Sequence, residues 1–236
     1  MAKPDVINAD ELGHVLGLFV HDLRNPAATI SANVDFLQEV GLSDVEAQEA
    51  LQDVKLAMGE LRRGLDILAW VSRWLTGQIP IEAANGDVGV FLERLERAET
   101  PVPVVVEIEP GEGLTAQGAH VAVEVVDLLL HNIRANVADP RATIRAYQRS
   151  DRVVIEVEDT GEAIAPELRE QAFTLEGQRL LKGRTDGRYG RFLGLFAAAV
   201  VLDGVGGTIE ADGEPGAAIF RILLRRARPS RRPPSP

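Results

Sequence analysis

His21 stands beside a carboxylate and shortly before a proline, in the segment His21-Asp22-Leu23-Arg24-Asn25-Pro26. An imidazole can act as a nucleophile or a base near neutral pH, and an adjacent carboxylate fixes its tautomer and raises its basicity. Pro26 lacks the N–H that would bond the carbonyl of Asp22, so it is expected to bend a helix just after the histidine. A purely structural helix would be expected to avoid that cost. On these residues alone, His21 is either a reactive side chain or an ordinary surface histidine.

The helix that carries His21 is predicted from a capping pair and a repeating apolar pattern. Asn8, with Glu11 three residues on, marks its start, and it stops near Val40-Gly41. Apolar residues recur at steps of three and four, as in a heptad seam, at Leu16, Val20, Leu23, Ala27, Ile30, Val34 and Leu37. Because Val20 and Leu23 lie on this seam, an outward stripe is expected at His21, Arg24, Asn25 and Ala28.

A second helix is predicted after a short turn in which Ser43 to Glu46 form a capping box. The same apolar stepping continues through Leu51, Val54, Met58, Leu61, Leu65, Leu68 and Leu75. Two long helices joined by a short turn predict an antiparallel hairpin. Ile67, Val71 and Trp74 broaden its apolar face beyond what one partner helix could cover. We expect a four-helix bundle made by two chains, the alternative being that this surplus packs on the domain that follows.

Composition and charge exclude several classes of protein. The 236 residues are 45% hydrophobic, which is enough for a buried core, and the net charge of -11 repels nucleic acid and anionic membranes. The absence of cysteine excludes disulfides, thiolate metal sites and a cysteine nucleophile. The sequence carries no signal peptide and no apolar run near the roughly 20 residues that a membrane span needs. We therefore expect a cytoplasmic protein that binds neither nucleic acid nor membrane.

A change of pattern predicts a second domain. The turn-rich stretch around Ile79-Pro80 separates the helical hairpin, residues 1–80, from residues 81–226. In the second domain, helices are predicted at 88–98, 121–137 and 192–202, and strands at 102–108, 142–147, 153–157, 208–210 and 218–224. This order predicts an α+β fold in which helices cover one face of a sheet. Residues 227–236 are basic and rich in proline, and we expect them to be disordered.

The segment from His21 to Pro26 resembles the phosphoacceptor box of two-component histidine kinases, in which an acidic residue, two further residues, Thr or Asn, and proline follow a histidine. The resemblance implies that His21 attacks the terminal phosphate of ATP through one ring nitrogen, while Asp22 accepts or orients the proton on the other. It also implies that Asn25 positions a water that hydrolyses the phosphorylated aspartate of a partner response regulator, since an amide donates and accepts hydrogen bonds. The alternative for Asn25 is a polar surface residue before a proline.

Three segments of the second domain resemble the nucleotide-binding boxes of the same kinases, in the same order, which implies ATP and Mg²⁺ as cofactors. The first is Leu129 to Asn132, where the resemblance makes Asn132 a Mg²⁺ ligand that also holds phosphates. The second is Glu158 to Ile164, where Asp159 would accept a hydrogen bond from the adenine amino group and Gly161 would allow the backbone to approach. The third is Gly190 to Leu195, where Gly190 and Gly194 would lie near the phosphates at the start of a helix.

The three nucleotide boxes depart from the family pattern at several positions. Leu128 stands where many relatives carry a second asparagine, and Ala135 and Asn136 replace a basic or aromatic pair. Ala163 and Phe192 occupy positions where second glycines are expected in the other two boxes. The side chain of Phe192 is bulky, so we expect it to remodel the loop that faces the phosphates.

The resemblance as a whole implies a two-component signalling protein with the fold of a histidine kinase core, namely a phosphoacceptor hairpin followed by an ATPase-type sandwich. It implies a homodimer that phosphorylates itself on His21 from ATP and passes the phosphate to an aspartate in the receiver domain of a response regulator. The departures leave two alternatives. One is a histidine phosphotransferase of a phosphorelay that no longer binds ATP, and the other is a noncatalytic scaffold that binds a receiver domain.

Overall fold

The computed structural model describes residues 9–40, 45–75, 84–110, 114–182 and 193–227. They form a helical hairpin followed by a sheet that helices cover on one face, so the predicted α+β class is confirmed. The predicted domain boundary at residue 80 and the tail from residue 228 onward lie outside the described residues.

The hairpin consists of α1 (Ala9–Val40) and α2 (Val45–Leu75). The face of α2 that packs on α1 carries mostly small buried residues at steps of three, four and seven, at Ala47, Ala50, Val54, Ala57 and Gly64. Small side chains let two helices approach closely, because the distance between helix axes depends on the side chains at the contact. Leu51, Met58 and Leu65, three residues of the predicted contact stripe, do not pack on α1 of the same chain, since all three are exposed. For these residues the prediction is wrong.

The buried side of α1 near His21 also differs from the predicted seam. Phe19 is 1% exposed and Asp22 is 8% exposed, whereas Leu16 and Val20 are 46% and 49% exposed. In a single chain Val20 is therefore not buried, and the prediction that it lies on a buried seam is wrong. The physical reason is that Phe19 packs in a cluster with a helix of the second domain, and the apolar pattern of two helices cannot reveal a third element. The outward positions at 24, 25 and 28 are exposed, as predicted.

In the described part of the second domain, seven strands form two sheets: β1 (Asn85–Asp87), β2 (Val104–Ile108), β3 (Thr115–Gln117), β4 (Ala142–Arg149), β5 (Arg152–Asp159), β6 (Thr208–Glu214) and β7 (Ala217–Arg225). The main sheet has the order β2-β4-β5-β7-β6, with β2 parallel to β4 and the other neighbours antiparallel. The predicted pairings of 142–147 with 153–157 and of 208–210 with 218–224 are confirmed. The short β1–β3 ladder was not predicted, because three-residue strands show too little alternation.

The helices of this domain are α3 (Val88–Arg97), α4 (Ala119–Asn136), α5 (Leu175–Lys182) and α6 (Gly194–Gly204), of which α5 was not predicted. The long helix α4 packs on the sheet in one core that contains Val125, Leu129 and Ile133 together with Ile155 and Ile222. Burying an aliphatic side chain of this size contributes roughly 1.5–3 kcal/mol, so the core fixes α4, and with it Asn132, against the sheet.

The opposite face of the main sheet carries a ladder of opposite charges. Arg145 Nε lies 2.9 Å from Glu107 Oε2, and Arg145 also bonds Glu158. Arg221 bridges Glu156 Oε2 at 2.7 Å and Asp212 Oδ2 at 2.8 Å. The bonds to these carboxylates raise the pKa of both arginines above its ordinary value, so both stay charged. Among the described helices none covers this face, which is therefore polar, and cross-strand ion pairs stabilise it.

Candidate functional site

The turn of α1 that carries the predicted phosphoacceptor segment is helical throughout, with Pro26 inside the helix. The side chain of His21 lies outside the described residues. Asp22 is buried and engaged with another residue, whereas the side chain of Asn25 is exposed. The main-chain oxygen of Asn25 accepts a hydrogen bond from Thr29 Oγ1 at 3.2 Å. The amide of Asn25 can therefore be reached from outside, whereas Asp22 is buried.

A buried apolar cluster joins this turn to the second domain. From the hairpin it contains Phe19, Ile67 and Val71, and from the start of α6 it contains Leu193 and Phe196, with Ala197 and Val200 behind them. Phe19 precedes His21 by two residues in the same helix. The cluster therefore holds the predicted phosphoacceptor turn close to the residue that precedes Gly194. Phe19 was not predicted as an anchor, although a large aromatic residue directly before the predicted seam residue Val20 was a usable signal.

Leu193 is the residue of this cluster with an unusual backbone. Its φ is 53°, in the left-handed region that favours glycine, and its side chain is buried. The next residue, Gly194, has no such φ, and a Cβ there would stand 3.5 Å from Leu128 Cδ2, an ordinary contact. Burial of the leucine side chain offsets the backbone strain, which is of order 1–3 kcal/mol. Gly190, the other predicted glycine of this box, lies outside the described residues.

Asn132 lies one turn before the end of α4. Its Oδ1 accepts a hydrogen bond from Asn136 Nδ2 at 2.8 Å, and its main-chain oxygen accepts a second one from the same nitrogen at 2.7 Å. Asn132 and Gly194 line one cavity of about 370 Å³, which α2 closes on its other side with Ile67 and Trp70. The structure therefore brings together residues from the first and third predicted boxes.

Asp159 is the last residue of β5 and is 3% exposed. Its Oδ1 accepts a hydrogen bond from the N–H of Gly161 at 2.7 Å, which fixes the turn after the strand. Gly161 and Asn136 line a second cavity of about 460 Å³, and Asp159 lines neither of the two. Asn136 lines the cavity of Gly161 and bonds Asn132, which lines the other cavity. It therefore lies between the predicted adenine end and the predicted metal end of the site.

The donor set around Asn132 suits a magnesium ion that shares its ligands with a nucleotide. Among the described residues, no group of three or more His, Cys, Asp or Glu side chains could hold a metal alone. Mg²⁺ takes oxygen ligands, keeps several waters and is usually held by one or two protein oxygens together with substrate phosphates. The amide oxygen of Asn132, which Asn136 orients, could serve as one such ligand, so the residues present fit the group.

Comparison with known proteins identifies the family of the second domain. Residues 104–228 match the family of histidine kinase-, DNA gyrase B-, and HSP90-like ATPases, which is more than half of the chain. The chain therefore belongs to this ATPase family. None of the helices in the described part of the chain is long and apolar enough to cross a membrane.

The curated relatives are sensor proteins. The chain is 25% identical to the C4-dicarboxylate transport sensor protein DctB of Rhizobium meliloti (strain 1021) over 238 residues, which are 95% of this chain and 37% of DctB. It is 30% identical to the alginate biosynthesis sensor protein KinB of Pseudomonas aeruginosa over 219 residues, which are 86% of this chain and 35% of KinB. The chain thus spans about a third of the length of these two relatives.

Solved histidine kinases share the fold. The structure of histidine kinase ThkA in complex with response regulator protein TrrA superposes with a TM-score of 0.61 at 18% identity, over 92% of this chain and 62% of the other. The match covers both the hairpin and the sandwich, because neither alone makes up 92% of the chain. The architecture is therefore that of a histidine kinase core.

Proposed function

We propose that this chain is the catalytic core of a two-component histidine kinase, which phosphorylates itself on His21 from ATP and passes the phosphate to a receiver-domain aspartate. One observation carries the proposal. The cluster around Phe19 and Leu193 holds the turn of His21 beside the start of α6, and Gly194, at that start, shares a cavity with Asn132. This packing supports a transfer of phosphate from a nucleotide bound near Asn132 to the turn that carries His21.

In the proposed reaction, a ring nitrogen of His21 forms a bond to the terminal phosphorus of ATP as the bond between that phosphorus and the bridging oxygen breaks. ADP leaves with the bridging oxygen, and the proton on the other ring nitrogen stays with or passes to the carboxylate of Asp22. A buried carboxylate fixed in one position suits this role, because it orients the imidazole at little further entropic cost.

Nucleotide binding is assigned to the second domain in this proposal. Asp159, with its Oδ1 anchored by Gly161, would accept a hydrogen bond from the adenine amino group. Asn132 would hold Mg²⁺ and the phosphates, with Gly190 and Gly194 near them. When bound there, Mg²⁺ would supply positive charge to stabilise the transferring phosphate. In the dephosphorylation step, Asn25 would orient a water against the phosphorylated aspartate of the partner.

A response regulator receiver domain is the proposed partner, and the complex of ThkA with TrrA supports it as a structure of the same fold. We also propose that the chain acts as a homodimer in the cytoplasm, where ATP is available. Large apolar side chains that one hairpin leaves exposed support the dimer, at Leu16, Val20, Val34, Leu51, Met58 and Leu65. Water contact at so many large apolar residues on one helical hairpin is unfavourable, and a second hairpin would remove it.

Labelling with γ-labelled ATP and Mg²⁺ tests the function. The unchanged protein should incorporate label, and both His21→Ala and Asp159→Asn should abolish it. Label arriving on His21 only from a phosphorylated receiver domain would identify the phosphotransferase instead, and no label by either route would identify the scaffold. Asp159→Asn should still accept phosphate from a receiver, which shows that the variant is folded. Normal labelling of Asp159→Asn from ATP would contradict the adenine assignment.

A further inference from the structure

The loop that follows β5 begins directly after Asp159, the predicted adenine ligand, and contains one turn of 3-10 helix at Pro166–Leu168. At its start, the N–H of Gly161 bonds Asp159 Oδ1 at 2.7 Å, and Thr160 Oγ1 donates a hydrogen bond to the main-chain oxygen of Asp139 at 3.1 Å. The shape of such a loop depends on individual hydrogen bonds of this kind, because it has no ladder of main-chain bonds to a neighbouring strand.

Arg169 holds the other end of this loop. Its Nε donates a hydrogen bond to the main-chain oxygen of Ile164 at 3.1 Å. Its Nη1 lies 2.7 Å from Asp212 Oδ1, and its Nη2 bonds the main-chain oxygen of Gly213. Asp212 and Gly213 belong to β6, so one guanidinium joins the loop to the edge strand of the main sheet. The rigid fork of donors on arginine suits three acceptors in fixed positions, whereas the single nitrogen of a lysine does not.

The anchor on β6 is itself fixed. Asp212 Oδ2 lies 2.8 Å from Arg221 Nη1 on β7, so a second arginine holds the carboxylate. At Gly213, an added Cβ would stand 2.1 Å from the main-chain oxygen of Ala217, which shows how closely the chain packs where β6 turns into β7. The side chain of Arg169 is 24% exposed. The contact therefore ties the loop to a rigid part of the sheet and differs from a loose ion pair on the surface.

The bond to Ile164 limits the freedom of the turn at Asp159. Ile164 is buried in the main core, so Arg169 and the core hold its main-chain oxygen and its side chain respectively. Four residues separate Ile164 from Asp159, and one of them is Gly161. Glycine has the widest choice of backbone conformations, so this short stretch needs an anchor at each end to keep one shape. The direction of the Asp159 carboxylate, which bonds Gly161, thus depends on Arg169.

We propose that Arg169 is a positioning residue for the choice of nucleotide base, because it holds the loop after Asp159 so that this carboxylate faces the amino group of adenine. The inference rests on the proposed function, in which Asp159 accepts a hydrogen bond from that amino group. In this role Arg169 acts through Asp159 and touches no part of the nucleotide. A change at Arg169 therefore alters the preference for adenine and leaves the binding of phosphates at Asn132 as it is.

Titration calorimetry with ADP and with inosine diphosphate, both with Mg²⁺, measures this preference, since inosine carries an oxygen in place of the adenine amino group. The unchanged protein should bind ADP at least about tenfold more tightly, as expected for one hydrogen bond to a charged group. Arg169→Met, which has no donors, should lower the preference at least about threefold and leave the affinity for inosine diphosphate unchanged. Arg169→Lys, which keeps the charge but not the fork of donors, should fall between the two.

Arg152→Met is the matched control. Arg152 is also partly buried, and its Nη1 bonds a main-chain oxygen at 3.4 Å, but that oxygen belongs to Gly206, outside the loop. This variant should leave the preference for ADP unchanged. Asp159→Asn gives the largest expected loss, since it removes the charge of the acceptor itself. A preference that Arg169→Met leaves undiminished, or that Arg152→Met lowers by as much, would overturn the inference.

Amide hydrogen exchange without nucleotide tests the same role independently of binding. The N–H of Gly161 bonds Asp159 Oδ1, so its exchange rate reports on the turn. Arg169→Met should speed this exchange at least about tenfold relative to that of Ile155 in the buried part of β5, whereas a general loss of stability would speed both. Equal acceleration at the two amides would overturn the role of Arg169.

Failure of the proposed function has a different signature. If the unchanged protein bound neither nucleotide, the nucleotide site itself would be refuted, and with it the part of Arg169 in the choice of base, even where exchange shows that Arg169 holds the turn. If the unchanged protein bound ADP and took label from ATP while Arg169→Met kept the full preference, only the role of Arg169 would be refuted.

Discussion

Asn136 Nδ2 donates a hydrogen bond to Asn132 Oδ1 at 2.8 Å and another to the main-chain oxygen of Asn132 at 2.7 Å. The two bonds fix the orientation of the Asn132 side chain, and a carbonyl oxygen has a second lone pair left for a cation. Asn136 thus replaces the basic or aromatic residue of the family pattern with a residue that aims the proposed metal ligand.

This relationship predicts a graded loss of nucleotide binding. Asn132→Ala should weaken Mg²⁺-dependent binding of a nonhydrolysable ATP analogue at least about tenfold, because a metal ligand is lost. Asn136→Ala should weaken it by about threefold to tenfold, the lower end of what partners of metal ligands contribute. Titration calorimetry with and without Mg²⁺ measures both effects.

A matched control exists for these two variants. Asn33 Nδ2 makes the same bond to a main-chain oxygen four residues earlier, to Thr29 at 2.9 Å, on the exposed surface of α1. Asn33→Ala should leave nucleotide affinity unchanged. Binding by Asn132→Ala that equals that of the unchanged protein would show that this asparagine holds neither metal nor phosphate.

Gly118 gives a prediction about the placement of α4. It has a φ of 74°, and an added Cβ would stand 2.6 Å from Val205 Cβ. Gly118→Ala should lower the free energy of unfolding by about 2–4 kcal/mol, since a left-handed backbone and overpacking both oppose the methyl group. Urea unfolding measures the loss.

Gly216 separates the two causes of that loss. Its φ is 82°, but no atom lies within 4 Å of an added Cβ. Gly216→Ala should therefore lower the free energy of unfolding only through its left-handed backbone, by about 1–2 kcal/mol. In a double-mutant cycle, Val205→Ala should restore part of the stability of Gly118→Ala. Equal losses at the two glycines, with no coupling to Val205, would argue against the close contact.

The order of helices and strands could be predicted from the sequence because each has a pattern of its own. The β-branched run at 153–157 and the long apolar run at 121–137 keep one period along their length, and both became the expected elements. The short strands β1 and β3 could not be predicted, because three residues are too few to define a period. The seam on α1 was misplaced because Val20 and Phe19 are both apolar, and only the position of α6 decides which of them is buried.

The candidate site could be predicted residue by residue but not as an arrangement. The segments around Asn132 and Asp159 were identified from their resemblance to known boxes, whereas the cavity that joins Asn132 to Gly194 depends on how α2 packs against α6. Trp70 on α2 shows what the sequence could not predict. In the sequence it is one more apolar residue near a helix end, and in the structure it packs against both apolar clusters.

The exposed apolar face of the hairpin predicts how the proposed dimer can be broken. Met58 and Leu65 are 57% and 51% exposed on α2, two turns apart. Met58→Glu/Leu65→Glu should shift the protein from dimer to monomer, because two chains would then bury four carboxylates in one interface. Sedimentation velocity measures the mass.

Val105 provides the control for this experiment. It is equally exposed, but it lies on β2 in the main sheet, away from the hairpin. Val105→Glu should leave the mass unchanged. A monomer at all concentrations of the unchanged protein would refute the dimer, and an unchanged dimer in the Met58→Glu/Leu65→Glu variant would show that it forms through another surface.

Asp212 gives a prediction about pH. Its Oδ2 lies 2.8 Å from Arg221 Nη1 and its Oδ1 lies 2.7 Å from Arg169 Nη1. The hydrogen bond from Arg221, together with one from the backbone at Gly213, lowers the pKa of the Asp212 carboxyl below its ordinary value. A group whose pKa is lower in the folded state stabilises the fold above its unfolded pKa, and this contribution is lost as the pH falls through the folded value.

Asp212→Asn should therefore destabilise the protein at pH 7 by no more than about 1 kcal/mol, since solvent screens a carboxylate that is 45% exposed. The difference from the unchanged protein should hold down to about pH 4 and then shrink as the pH falls further, because the aspartate becomes protonated in both states. Urea unfolding at a series of pH values measures it. Asp139→Asn is the control. Among the described residues Asp139 forms an ion pair only with Arg141, at 3.0 Å, and it is 81% exposed, so the loss of stability should be smaller at every pH. A loss at Asp212 that stays constant from pH 7 to pH 2 would mean that packing or hydrogen bonding, and not charge, is what the aspartate contributes.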